Sequence, residues 1–329
     1  MVEISGYALF SATMPVLAIM AIGWLFRKKK WVGEEVQFGL MRLVIWIFTP
    51  ALIVDRVLFN PLIKNFSDVS TVLIAGFASV AVGILVSAGV ARFFGIDSRE
   101  RRRVFGYTTG IYNYGYIALP ICMTLCPPDT SGMMLLFNSG IEVSIWTIGV
   151  SFLLGEFRPK QLLKAFVNPI FITMVLTLVL KLTGLNEYVP AWIANPDPAL
   201  PSLSKQLGAC MIPSGILLVG MSLPVLLSGF RWFDDWKISA GAILMRLIVV
   251  PALMLLAALF VPAIPQDLRY ILIIQSAMPP AMLPIVIVQF YQGDAKLALR
   301  VVMVGTLACF VTLPFWIKFG FWALAKISA

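Results

Sequence analysis

The chain has 329 residues, 60% of them hydrophobic and 12% charged, with a mean hydropathy of +0.93. Such values lie far outside the range of soluble domains and identify an all-α polytopic membrane protein. The net charge of +9 comes without a single histidine. That excludes histidine-based triads, zinc and haem ligation and proton relays. Basic loops against anionic lipid explain the charge with no nucleic-acid partner.

A membrane span needs about 20 mostly apolar residues. On that length the sequence predicts ten: 7–26, 38–58, 69–94, 104–125, 133–155, 163–183, 204–228, 238–261, 268–291 and 297–320. The start carries Glu3 but no basic segment or cleavage site before Arg27, so span 1 is expected to remain in the mature protein. Links after odd-numbered spans hold 17 of the 25 basic residues, including Arg27–Lys30, Arg99, Arg101–Arg103, Arg158, Lys160, Lys164 and Arg231. Cytoplasmic links carry such an excess, which puts both termini on the non-cytoplasmic side. Trp24, Trp31, Trp46, Trp192, Trp232 and Trp236 fall near span ends, as interfacial anchors do.

Spans 4 and 9 share a tripeptide, Leu119–Pro120–Ile121 and Leu283–Pro284–Ile285, at an offset of 164. Gly115 then falls near Pro279 and Pro280. Asp129 and Asp294, and Gly140 and Gly305, match at 165, and Pro50 matches Pro213 at 163. Five spans per half is an odd number, so residues 1–158 and 159–329 are expected to form two inverted repeats. Proline interruptions paired across two halves point to a solute site near the bilayer midplane, where half-helix N-termini favour an anion. Candidate binding residues are Asn113, Tyr114, Gly115, Leu119 and Pro120 from span 4, with Met278, Pro279, Pro280, Ala281 and Pro284 from span 9. The Asn113 amide can donate to a carboxylate, offer its oxygen to a cation, or simply join two helices. Thr49, Pro50 and Ser214 in spans 2 and 7 either face the same cavity or mark packing kinks.

Glu142 is the one acid well inside a predicted span, and an ionised group there costs about 2.5–3.5 kcal/mol. With Asn138 one turn away and Gln275 before the second break, it forms a candidate coupling site for Na+ or H+. The alternatives are an ion pair with Arg246 and a permanently protonated acid. Pro15, Pro251 and Pro314 are read as kinks. Cys122, Cys126, Cys210 and Cys309 lack metal or redox spacing and are read as packing residues. No cofactor or structural metal is implied. Without a phosphate-binding glycine loop, transport must draw on gradients. An anion sensor on the same framework is the competing reading, and an intramembrane enzyme lacks a nucleophile with a base.

The run Asn113–Tyr114–Gly115–Tyr116–Ile117–Ala118–Leu119–Pro120 resembles the signature of the auxin efflux carrier family, the PIN-like transporters. Asn168–Pro169, Pro213 with Gly220, Arg246 before Pro251, and Ala277–Met278–Pro279–Pro280 follow in matching order. The resemblance implies the ten-span fold of the bile-acid sodium symporters, with broken spans 4 and 9 crossing at the substrate site. It implies elevator motion of a bundle (spans 3–5 and 8–10) against a scaffold (spans 1, 2, 6 and 7), usually homodimeric. The short link Phe157–Gln161 is similar to that of bacterial-type members, which implies a bacterial inner membrane and a small carboxylate such as malate or malonate. A larger anion, or sodium-coupled symport of the bile-acid type, is the alternative.

Overall fold

A computed structural model describes residues 6–156, 167–197, 199–227 and 234–327. Arg158, Lys160, Lys164, Arg231, Trp232, the link 157–161 and the expected repeat boundary at 158/159 lie outside the described residues. Among those described, every regular element is a helix, and one bridged residue pair is the only extended contact.

The chain opens with α1 (Gly6–Lys28), followed by α2 (Glu34–Leu43), which runs through a π turn (Val44–Phe48) into α3 (Thr49–Val57). Asn65 and Asp68 form a capping box that starts α4 (Phe66–Val90). The first half continues with α5 (Arg99–Gly110), α6 (Ala118–Leu125), α7 (Thr130–Ser144), a π turn (Ile145–Gly149) and α8 (Val150–Leu154). Asn168 caps α9 (Pro169–Leu182), whose leading proline loses no hydrogen bond at that position. After α10 (Leu203–Ala209) and α11 (Met211–Leu227), helix α12 (Trp236–Leu244) passes through a third π turn (Met245–Val249) into α13 (Val250–Phe260). The chain closes with α14 (Gln266–Ser276), α15 (Leu283–Phe290) and α16 (Ala295–Ile327).

Six of these continuous segments are long and apolar enough to cross a bilayer: 34–57, 66–94, 130–154, 203–224, 236–260 and 295–327. Predicted spans 4 and 9 are not continuous, since each is two short helices around an unwound stretch. Span 7 runs on through a single turn residue, Cys210, which is exposed rather than packed in an apolar interior.

Helices in lipid gain little from burying apolar surface against one another, so small residues that let backbones approach set their contacts. Gly23 of α1 and Gly220 of α11 lie against the partner helix's backbone, and Gly76 of α4 and Gly140 of α7 do the same. Large apolar residues point outward, as Val311 on α16 does at 79% exposure; in hydrocarbon this exposure carries no penalty.

Polar contacts gather the links at two ends. Arg101 Nε pairs with Asp294 at 3.0 Å, and Arg300 Nε lies 4.0 Å from Asp235, tying α5 to the link before α16 and α16 to the link before α12. At the opposite end Thr130 donates to Asp267 at 2.5 Å and Asn60 donates to the Asp129 carbonyl at 2.8 Å.

Candidate functional site

The two unwound stretches meet. Pro279 and Pro280 have no N–H to continue α14, and each disfavours helical geometry in the residue before it. In the first half, the Pro120 ring would clash with the Tyr116 carbonyl if α6 extended back by a turn. Pro120 and Pro284 therefore stand in the first turns of α6 and α15 rather than inside the breaks. The breaks lie just upstream, at 111–117 and 277–282.

Tyr112 and Pro280 form an antiparallel bridge. The Asn113 N–H donates to the Pro279 carbonyl at 2.8 Å, and the Ala281 N–H donates to the Ile111 carbonyl at 2.9 Å. Each break thereby satisfies part of the other's backbone, which hydrocarbon cannot do. Ser79 on α4 shares a 2.7 Å hydrogen bond with the Tyr112 hydroxyl and fixes the crossing from the side.

Two amides converge on one carbonyl. Asn138 Nδ2 and Gln275 Nε2 each donate to the Tyr114 oxygen at 3.1 Å, and Gln275 Nε2 also reaches Asn138 Oδ1 at 3.0 Å. The Tyr114 hydroxyl donates to Glu142, whose other oxygen accepts from Trp146 Nε1 at 3.2 Å. Asn138, Gln275 and Glu142 are thus joined through the two ends of Tyr114. Glu142 makes no ion pair with Arg246, unlike one of the sequence alternatives. Arg246 instead donates to the backbone carbonyls of Met278, Gln275 and Ser276.

Asn113 is 9% exposed, and its side-chain amide bonds to no described residue. The N–H groups of Gly115 and Tyr116, ahead of α6, likewise donate to no described residue. A Cβ added to Gly115 would meet nothing within 4 Å, so this side of the break borders open space. Leu119, Met278, Pro279, Pro280, Ala281 and Pro284 are buried around the crossing, and Pro120 is partly buried.

The helices carrying Thr49, Pro50 and Ser214 approach differently. The Tyr116 ring lies on Gly215 of α11, next to Ser214, so α11 borders the crossing. Thr49 is buried at the start of α3, where Leu52 packs on Gly208 of α10. Among the described residues no hydrogen bond ties Thr49, Pro50 or the Ser214 side chain to the crossing.

Tyr112, Ser79, the contact between Pro280 and Gly305, and the Cys309 thiol donating to Ala277 at 3.3 Å are absent from the sequence reading. Arg246, by contrast, carried a detectable signal in the sequence, as a basic residue well inside a predicted span.

Two cavities lie elsewhere. One of about 690 Å³ is lined by Leu85, Arg102, Arg103, Ser151 and Glu156 among others, and one of about 250 Å³ by Arg101, Tyr291 and Asp294 among others. Both sit at the arginine-rich end of the molecule. At the crossing, by contrast, unpaired donors and open space coincide.

The chain matches a family described as "membrane transport protein" over residues 8–161 and 156–317. It is similar to an uncharacterized transporter of Methanothermobacter thermautotrophicus, with 22% identity over 309 residues that cover 92% of this chain and 95% of that protein.

Proposed function

Since this chain belongs to the membrane transport protein family, that of the auxin efflux carriers and PIN-like transporters, we propose that it is a secondary active transporter of a small organic anion. The solute is a carboxylate of malate or malonate size, and the setting is a bacterial inner membrane with both chain termini outside the cytoplasm. The observation that carries this reading is the crossing, where the free Asn113 amide and the N–H groups of Gly115 and Tyr116 adjoin open space. Donors of this kind, at the start of a helix and out of bulk water, suit a carboxylate. Tyr114, Leu119, Pro120, Met278, Pro279, Pro280, Ala281 and Pro284 shape the rest of the site. Thr49, Pro50 and Ser214 supply its wall on the scaffold side.

The architecture in this reading is ten spans in two inverted repeats, residues 1–158 and 159–329. Element lengths support it: α6 and α15 each have eight residues, and they begin at Ala118 and Leu283. The helices that follow begin at Thr130 and Ala295, an offset of 165 in both cases. A bundle of spans 3–5 and 8–10 slides as an elevator against a homodimeric scaffold of spans 1, 2, 6 and 7. Glu142, with Asn138 and Gln275, couples the movement to H+ or Na+.

Uptake of radiolabelled malate and malonate into vesicles of purified protein, across a matrix of sodium and pH gradients, tests the proposal. Saturable, gradient-dependent uptake is expected. If no organic anion shows saturable flux or thermal stabilisation under any gradient, the proposal fails.

A further inference from the structure

Among the described residues Arg246 is the most enclosed charge, and no counter-ion lies against it. Its exposure is 0%, and among the described residues no carboxylate pairs with it. Glu142 is already engaged by Tyr114 and Trp146. The guanidinium instead meets a set of backbone oxygens: Met278 at 2.8 Å from Nε, and Gln275 and Ser276 at 3.1 and 3.3 Å from Nη2. Its carbon sits 4.4 Å from the centre of the Tyr112 ring, on the partner strand of the bridge. Nη1 is buried without a partner.

Two of these oxygens close the C-terminus of α14, where the helix dipole is negative, and the third belongs to the unwound stretch. Helix-end and unwound carbonyls are the groups with which broken-helix transporters coordinate a sodium ion. In this chain a π turn brings a tethered cation to them. The neighbouring Tyr114 carbonyl is occupied by two amide donors, so it too faces hydrogen rather than a free ion. Position 81, at the repeat offset of 165 from Arg246, is Ala81. The first half therefore supplies no matching cation at that position.

We infer that Arg246 is a resident cation: its guanidinium fills the oxygen cage at the second break that a free sodium ion would otherwise take, so the crossing accepts an anion without a metal cation bound there. The inference rests on the solute site being at the crossing, and it leaves a proton on Glu142 as the route for coupling. A lone guanidinium in a dry interior is costly unless nearby groups answer its charge. Here carbonyl dipoles and the Tyr112 ring answer it in the resting protein, and the arriving carboxylate supplies the opposite charge.

The test reads the melting temperature of the full chain in detergent, without any solute, in sodium chloride and in choline chloride at equal ionic strength. Wild type is expected to show no sodium-specific shift. Arg246→Ala is expected to melt lower in choline chloride and to regain stability saturably with sodium or methylguanidinium. Arg246→Lys keeps a positive charge and three donors, so it is expected to melt near wild type with no sodium response. It also serves as the deciding variant if Arg246→Ala does not fold. Sodium-specific stabilisation of wild type, an Arg246→Ala protein that melts like wild type, or an Arg246→Lys protein that fails to fold or responds to sodium would each overturn the inference. No solute enters these measurements, so they can fail while vesicle uptake succeeds, and the reverse also holds.

Discussion

Asn113 and Glu142 differ in what their side chains already hold, and their replacements should fail in different ways. The Asn113 amide bonds to no described residue, so Asn113→Ala removes no internal hydrogen bond and should move the melting temperature little. A hydrogen bond to a charged carboxylate is worth about 1.5–3 kcal/mol. The half-saturation concentration for malonate uptake should therefore rise roughly 10- to 100-fold. A variant of matched stability with unchanged half-saturation would remove Asn113 from the site. Glu142→Gln still offers an oxygen to Tyr114 and a polar group to Trp146, so it should insert and fold. It cannot exchange a proton, and flux should lose its dependence on the coupling gradient. An ion and pH dependence identical to wild type would exclude Glu142 from coupling. The polarity of both residues was legible in the sequence, because an acid or amide inside an apolar span stands out. Their partners were not. Glu142 reaches a tyrosine 28 positions earlier, and Arg246 reaches carbonyls about 30 positions later. Nothing in the local pattern specifies such contacts.

The broken helices show the same division between what composition reveals and what only the fold decides. Repeated prolines marked spans 4 and 9 as interrupted, because a missing donor and a ring clash act locally. The location of each break was less visible: Pro120 and Pro284 begin the second half-helices, and the unwound residues precede them. The antiparallel bridge joins Tyr112 to Pro280 across more than half the chain, a pairing that periodicity does not encode. The three π turns were also hidden, since one extra residue in a turn leaves hydropathy unchanged. Two glycines separate support of the crossing from occupation of it. A Cβ on Gly305 would fall 2.5 Å from Pro280 Cγ, whereas one on Gly115 would meet nothing within 4 Å. Gly305→Ala should destabilise the protein by about 1–3 kcal/mol through overpacking and lower uptake at every solute concentration. Gly115→Ala should melt near wild type yet raise the half-saturation concentration, because the methyl group enters the open space that the proposed site gives to the solute. Thermal melts and uptake curves of the two variants side by side check this. Equal loss of stability in both would place Gly115 in packed protein instead.

For the whole molecule, the decisive question is whether the bundle moves past the scaffold. In the proposed division, one of the contacts at that boundary is the Tyr116 ring, in the first break, which rests on Gly215 of α11. A Cβ on Gly215 would lie 3.0 Å from Tyr116 Cγ. Adding the Cβ–Cγ bond puts the two Cβ atoms no more than about 4.5 Å apart, inside the range a disulfide spans. The double variant Tyr116→Cys with Gly215→Cys should cross-link on mild oxidation. Cys122, Cys126, Cys210 and Cys309 would first be replaced by serine or alanine, since Cys210 is exposed five residues from Gly215. If the bundle carries solute by sliding, the oxidised protein is held in one state, with uptake lost and then recovered on reduction. The single variants, oxidised in parallel, should keep their flux, which separates trapping from damage. Continued uptake by fully cross-linked protein would mean that solute crosses without displacement of the first break from α11. Transport would then require local opening around the crossing, with the scaffold and bundle fixed.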